Sequence, residues 1–597
     1  STSAGNALSA DAALTAGTAI YSGTSAYSTS AGSALTAGTA TVAPNYLSLS
    51  TASSSAGSSL LGFLQAGTGA VLATVQAKLE QIVSVTDFGA VLDGVTDDAA
   101  AWRSALAHLE TVGGGTLYIP HSSNGSVVNS SITQTFSANT TIFVICNSFV
   151  IANNCPNGAA GVAVFNLSGD VILSGGAWVG TTQISLIGMR VTKNATSVNN
   201  LQGINLSGFN RVTIQDCGVS GVDNTGIYVV QSSNLFVGNT NCSNNCYAGM
   251  QLGNVNGFVI QGGAYNSNIT GNMTGDYGIA LSVGNSYTYH NRDGVITGVK
   301  ANSNGRKGID VHAGQNINIH DNLVRTYGES GIYAVAENAA DGKVVANINI
   351  HDNVIDGASN TGTNCSGIEA GTYGTDCGTS DTFRIHNNRL SNTGSTAGSR
   401  AIYVLNSTGG YQINTIIIND NDITNGSSPT TEVIYVETHG LRAKRVEIHG
   451  NIVHSTAATY GIRNEGGITA VSIQDNTIIV DSGTCTYGVY SLEGGSVNAM
   501  IANNSILGAA TFVNQMQKDI SLIGYKQFHN MVGGVAVKDQ YGSGRSIQFN
   551  GAASTDTGSY YRQGSIIYNT AAGTGIPLGW VCSTSGQPGV WVAMANL

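Results

Sequence analysis

The chain has 597 residues, of which 10% are charged and 42% hydrophobic, with 79 Gly, 6 Pro and a net charge of −11. This length exceeds one small domain, so several structural units are expected. The acidic balance argues against nucleic acid, whose phosphates need a basic face, and no apolar run approaches the ~20 residues of a membrane span, so no membrane insertion is expected.

Low charge with abundant Gly, Asn, Ser and Thr suits a stacked β-solenoid, in which every coil needs small polar residues at its turns. The nine Cys include one close pair, Cys242 and Cys246, with no second pair or His set at zinc-site spacing. They read as free, mostly buried thiols of a chain assembled in a reducing cytoplasm. No metal or other cofactor is expected. No signal peptide opens the chain, and Ser1 is not an initiator, so a native start upstream is expected.

Residues 1–58 are biased to Ala, Ser, Thr and Gly, and LTAGTA occurs at both Leu14–Ala19 and Leu35–Ala40. One such chain cannot bury a core. The segment is either a thin stem where several chains meet or a disordered leader. Residues 59–84 then read as a helical neck. Leu72, Val75, Leu79 and Ile82 recur at alternating steps of three and four, a seam suited to self-association or to packing one short helix on the body.

A capping helix is expected near 97–110. Thr96 is its candidate N-cap, Asp97 and Asp98 suit the positive end, and Trp102, Leu106 and Leu109 mark its apolar face. Glycines 113–115 stop it, and Thr116–Ile119 reads as a strand. Such a helix would cover the open end of a solenoid.

From residue 203 a Gly-Ile-x-apolar strand recurs, as at Gly226-Ile227-Tyr228-Val229, Gly308-Ile309-Asp310-Val311 and Gly367-Ile368-Glu369-Ala370. The shortest repeat is about 23 residues, within the range of solenoid coils. In a second register Asn322, Asn353, Asn388, Asn421, Asn451, Asn476 and Asn504 each follow a strand. One Asn per coil at one turn predicts an amide ladder along the axis. His320, His351, His386 and His449 lie two residues earlier and read as a stack on another face.

VTDFGAVLDGVTDDAAAW followed by GGGTLYIP closely resembles the start of pectate-lyase-like β-helix domains, and GAVLATVQAKLEQIVSVTDFGA resembles the neck of bacteriophage tailspikes. These strings cover about 60 residues; the repeat pattern extends the likeness loosely over 85–520. The resemblance implies a right-handed parallel β-helix over 85–524. It also implies a homotrimer, joined through its N-terminus to a phage tail or baseplate, acting on bacterial capsule or O-antigen polysaccharide.

Alternation in a strand turns Ile309 and Val311 inward and Asp310 and His312 outward. The position after the inward Ile is therefore expected to form an exposed column: Asn205, Tyr228, Gln251, Ala280, Asp310, Tyr333, Glu369, Tyr403, Tyr435, Arg463 and Tyr490. Tyr rings stack on sugar C–H faces, and carboxylates bond hydroxyls or catalyse. The alternative is an ordinary solvated strand face. Longer coils from Gly331 to Val433 place extra loops beside this face, where Glu437 closes the span.

Glycoside hydrolysis generally needs two carboxyl groups. Asp310 and Glu369, two coils apart, are expected about 9–10 Å from each other. Glu329 and Asp276 lie just before their strands and Glu337 just after one; all three are further catalytic candidates. Tyr333, Tyr403, Tyr435, His312, Arg306, Lys307 and Glu437 are the substrate-binding candidates. Arg306, Lys307, His312 and Arg325 concentrate positive charge, either to hold an acidic sugar or to balance Asp310 and Glu329. Three functions remain open: an endo-glycosidase, a polysaccharide lyase using Arg306, Lys307 and His312 on a uronate, and a non-catalytic receptor-binding fibre.

Residues 525–597 read as a small C-terminal β module that clamps the trimer or binds sugar, with strands at Tyr560–Tyr568, Leu578–Cys582 and Val590–Val592 and with Trp580 and Trp591 in its core.

Overall fold

The computed structural model describes residues 61–137, 140–153, 161–167, 182–193, 202–269, 275–282, 290–336, 344–358, 365–373, 381–393, 399–406, 412–425, 430–456, 458–480, 484–492, 498–507 and shorter stretches from 511 to 595. The 1–58 stem lies outside them. The chain divides into two units, Ser1–Val83 and Ser84–Leu597.

The second unit is built from three-strand coils. Lys307–Val311, Gly314–His320 and Leu323–Tyr327 make one coil; Ser330–Ala336, Val345–His351 and Val354–Asp356 make the next. Each strand pairs in parallel with its counterpart one coil on, such as Ile309 with Ile332, Ile317 with Ile348 and Val324 with Ile355. Three parallel faces therefore run along one axis, and a continuous apolar core of Ile, Val and Leu lies inside them. This is a right-handed parallel β-helix.

The Gly-Ile repeat has a steric cause. A Cβ on Gly308 would lie 2.4 Å from Val324, and one on Gly331 2.8 Å from Ile355. Gly308 and Ile309 thus both face inward, against interior side chains from the third face. Simple alternation is broken there, and Lys307 and Asp310 come out on the same side, 3.5 Å apart.

The corner after the second face is also explained. Asp321, Asp352, Asn387, Asp420, Gly450, Asp475 and Asn503 all have φ between +53° and +66°. Asp, Asn and Gly tolerate that region best. The next residue is always Asn, and its amide forms the expected ladder. Asn353 Nδ2 donates to Asn388 Oδ1 at 2.9 Å, which also accepts the Asn353 backbone N–H at 3.1 Å. The pattern runs from Asn322 to Asn504. A second, unforeseen ladder occupies another corner: Asn245 to Asn268 at 3.2 Å and Asn268 to Asn304 at 2.9 Å. The imidazoles of His320, His351 and His386 stack with centroids 4.9 and 4.8 Å apart. Asn419 separates His449 from them in register.

The capping helix spans Ala99–Thr111 and buries Trp102, Ala105, Leu106 and Leu109. Its N-cap is Asp98, not Thr96, whose hydroxyl donates to Asp93 at 2.8 Å. Asp97 supplies the side-chain cap by accepting the Ala99 N–H at 3.1 Å. Buried Asp98 accepts from the Val91 N–H and the Ser126 hydroxyl, both at 2.7 Å.

Among the described residues of the first unit, α-helix is confined to Val75–Leu79, shorter than the expected neck, with paired short strands at Gly62–Phe63 and Ala73–Thr74. One turn buries no apolar face, so propensity alone does not extend it. Leu72, Leu79 and Ile82 are exposed, Leu72 to 70%. At the C-terminus, Ile547–Phe549, Ile566–Asn569, Gly579–Thr584 and Val590–Ala593 form a separate four-stranded sheet. Trp580 and Trp591 are half-buried there rather than core residues. Cys146, Cys217, Cys242, Cys365 and Cys582 are free and buried, and Cys246 is free and half-buried.

Candidate functional site on the first face

The position after the inward Ile forms one unbroken column in register: Asn205, Tyr228, Gln251, Ala280, Asp310, Tyr333, Glu369, Tyr403, Tyr435, Arg463, Tyr490. The order matches the sequence reading, but the expected exposure does not. Asp310 is only 1% exposed, and Tyr333, Tyr403 and Tyr435 are buried. Where the residue two places before the Ile is long, as at Lys307 and Arg400, its side chain lies over a Tyr ring of the column.

Two linked clusters result. In the lower one, Lys307 lies with its ammonium 3.2 Å from the Tyr333 ring centroid and pairs with Asp310. The other Asp310 oxygen contacts His312 Nδ1 at 2.5 Å, and the His312 ring lies against Tyr333 at 5.3 Å. Lys307 and Asp310 are both inaccessible, while His312 keeps 12% of its side chain exposed. Asp310, expected on an open face, is thus a buried partner of Lys307 and His312. Removing two charges from water is costly, and the ion pair with the added His contact offsets that cost.

Arg306 and Glu329 do reach the surface of the face. Arg306 Nε contacts Glu329 at 2.7 Å, and its Nη1 donates to the Tyr277 hydroxyl at 2.7 Å. Asp276 meets Arg306 through the backbone, its carbonyl accepting the Arg306 N–H at 3.0 Å. It is buried beneath the turn at Gly305, where an added Cβ would lie 2.5 Å from its carboxylate, and its backbone has φ +75°. Glu337 lies outside the described residues.

Glu369 stands two rungs above Asp310, with Tyr333 between them. It is partly buried, accepts from the Ser330 hydroxyl at 2.9 Å and meets the exposed Tyr373 hydroxyl at 3.5 Å. Burial raises its pKa above the usual carboxyl value. The charge of Glu329 pushes the same way, and both prevail over the Ser330 hydrogen bond and the nearby Lys307 and Arg400 cations.

The upper cluster is centred on Glu432, a residue not singled out from the sequence. Its carboxylate is 2% exposed and accepts from Arg400 Nε at 3.1 Å and Arg463 Nη1 at 2.6 Å. Arg400 lies 4.3 Å from the Tyr403 ring, and Arg463 4.8 Å from Tyr435 and from Tyr460. Tyr403 and Tyr435 stack at 5.4 Å, as do Tyr460 and Tyr487 at 5.0 Å. The Tyr403 hydroxyl donates to Glu437 at 2.6 Å, and the Tyr435 hydroxyl to Glu465 at 3.1 Å. Burial first, and then these carboxylates, raise both phenol pKa values. Arg400 and Glu432 stand two residues before their inward Ile, as Lys307 does. That shared offset was the available signal.

Among the described residues, no group of His, Cys, Asp and Glu is arranged to hold a metal ion. No described helix is long and apolar enough to cross a membrane.

Coil geometry and ladders define a right-handed parallel β-helix, and the family model for a right-handed β-helix region matches residues 202–369. Solved structures of one phage protein share the fold. A double mutant of the tailspike protein of E. coli bacteriophage HK620, altered at an Asp and a Glu, gives a TM-score of 0.53 at 11% identity, covering 80% of this chain and 85% of that one. A Glu-to-Gln mutant of the same tailspike in complex with hexasaccharide gives 0.51 at 11% identity and the same coverage. No curated protein sequence matches the chain.

Proposed function

We propose that this chain is a phage tailspike that binds a bacterial surface polysaccharide, capsule or O-antigen, and cleaves it by endo-glycosidic hydrolysis along the first face. Glu369 carries this reading. It is a carboxyl whose pKa is raised by burial, on a Tyr-rich face, next to a carboxylate, Glu329, that is paired with a guanidinium. Two carboxyls in such different surroundings are set for acid and base work. Glu369 would protonate the leaving glycosidic oxygen, and Glu329 would activate water or attack the sugar. A mutant of the similar HK620 tailspike is solved in complex with hexasaccharide, which supports saccharide binding by this fold.

The test is release of reducing ends from polysaccharide of a bacterium that the protein binds. Wild type is expected to produce oligosaccharide repeats, and Glu369→Gln to bind without cleaving. If wild type also binds without cleaving, the chain is an adhesin. A lyase reading rests on the Asp310–His312 contact, since a buried carboxylate that orients an imidazole makes it a better base. Cleavage with new ultraviolet absorbance from unsaturated ends would favour it.

Assembly as a homotrimer in the virion tail, attached through the N-terminus, is part of this proposal. The exposed apolar side chains Leu72, Leu79 and Ile82 support self-association there. Linked copies would also turn weak sugar contacts into firm attachment. Light scattering is expected to give a mass well above one chain of 61.0 kDa; a mass near that value would remove the trimer.

A further inference from the structure

The sequence left open whether the cations of the first face hold an acidic sugar or balance the chain's own acids. We infer that the groove takes a neutral polysaccharide stretch, without uronate, sialate or phosphate. This inference rests on the reading of the first face as the polymer groove.

The argument is charge accounting at bonding distance. Four described Lys and Arg side chains stand on this part of the face, and each is already matched. Arg306 pairs with Glu329, Lys307 with Asp310, Arg400 with Glu432, and Arg463 with both Glu432 and Glu465. The matched carboxylates are held in place, Asp310 and Glu432 almost fully buried. Lys307 pairs with buried Asp310, and Arg400 and Arg463 grip the same buried Glu432, so drawing these cations toward a substrate anion weakens the pairing of a buried carboxylate, which is costly. Arg306 and Glu329 form a more open pair that is already neutral.

Acids remain after the matching. Glu369 bonds Ser330 and Tyr373, while Glu437 bonds Tyr403 and His439. Even with His312 protonated, the face carries no net positive charge. A carboxylate or phosphate entering here loses its hydration and meets a field of its own sign. Neutral sugars meet the accessible rings of Tyr373, Tyr460 and Tyr490 and the partly exposed acceptors Glu369 and Glu437, which suit C–H faces and hydroxyl groups.

The inference also separates the two chemistries. Elimination from a uronate needs a cation free to neutralise the substrate carboxylate, and every described cation on the face is engaged.

The experiment uses the full chain carrying Glu369→Gln on an array of purified bacterial surface polysaccharides. The array includes neutral polymers, acidic polymers, and copies of the acidic ones with their carboxyls chemically reduced to alcohols. Binding is expected on neutral repeats, and carboxyl reduction is expected to raise binding to an acidic polymer or leave it unchanged. Affinity for the bound polymer is expected to change less than about twofold between roughly 0.05 and 0.5 M salt, since no charge attraction is being screened. The inference is overturned if an acidic polymer binds best and loses binding on reduction, or if that salt step weakens binding about tenfold or more. The hydrolysis reading fails separately. A neutral polymer bound by wild type but left uncut defeats hydrolysis alone, while hydrolysis of an acidic polymer defeats neutral selection alone.

Discussion

Asp310 and Glu369 occupy the same column position two rungs apart, yet their surroundings differ sharply. Around Asp310 the covering residue is Lys307, and a Lys, a His and a Tyr ring close over the carboxylate. Around Glu369 the residue at the covering position of its own strand is Ser366, and Ser330 lies one rung below. Neither is long enough to bury or neutralise an acid. Glu369 therefore stays partly exposed and has no ion-pair partner at contact distance among the described residues, while Asp310 is sealed and paired. Position on the face does not by itself fix how accessible a carboxylate is; the side chain two residues before the inward Ile contributes as well.

The largest expected effect follows directly. Glu369→Gln should lower cleavage by about 10²–10⁴-fold, the usual contribution of a general acid, or about 2.7–5.5 kcal/mol of barrier. It should leave polysaccharide binding intact and keep or raise the thermal midpoint, because a partly buried ionisable group has been replaced by a neutral one. The pH profile gives the sign. The acid works only while protonated, so wild-type activity should fall as pH rises through the raised pKa of Glu369. An unchanged alkaline limb in Glu369→Gln would place the acid elsewhere.

Asp310→Ala is the matching change on the other rung. It strands the Lys307 ammonium in the interior, and loss of one partner of a buried pair costs about 3–5 kcal/mol. The measurement is the denaturant midpoint, with Lys307→Met added to the same chain. The double substitution should recover most of the loss, since an apolar side chain of similar length needs no partner. If Asp310→Ala folds as well as wild type but stops cleavage, the comparison is inverted and Asp310 is the catalytic residue.

This contrast also marks what the sequence made legible. The column order was readable, because Gly-Ile spacing fixes register and each step matches a structural pairing. The Asn ladder was readable because an amide can repeat on itself at every rung. Exposure was not readable. Strict alternation puts Lys307 on the inner side with Ile309; only the contact of Gly308 with Val324 shows that two consecutive residues turn inward. For the same reason Arg400 and Glu432 went unnoticed. Asp276 was misplaced because its left-handed backbone sends it under the next turn.

The ladder gives a smaller effect that tests the scaffold alone. Asn353→Ala leaves the Asn322 backbone N–H and side-chain amide without their acceptor in a buried corner. The expected cost is about 1–3 kcal/mol, with cleavage per folded molecule unchanged. Loss of activity in the folded fraction would mean that the corner and the first face are mechanically coupled.

The smallest effect belongs to the His stack on the second face. His386 has its pKa lowered, first by burial and next by the charge of His351 stacked on it. A folded-state pKa below the unfolded value of about 6.5 means the unfolded chain takes up the proton first as pH falls. His386 therefore favours the folded state above that value, and the advantage is lost as pH drops below it. Asn419 fills the same position one rung on, so His386→Asn puts in a side chain this column already accommodates. The ring is partly solvated, so screening limits the change to less than about 0.5 kcal/mol. Denaturant titrations at pH 7.5 and pH 5 should show a slightly smaller stability loss on acidification in His386→Asn than in wild type. A larger loss would mean that the stack gains rather than loses from protonation, as it would if Asp352 and Asp420 outweighed burial.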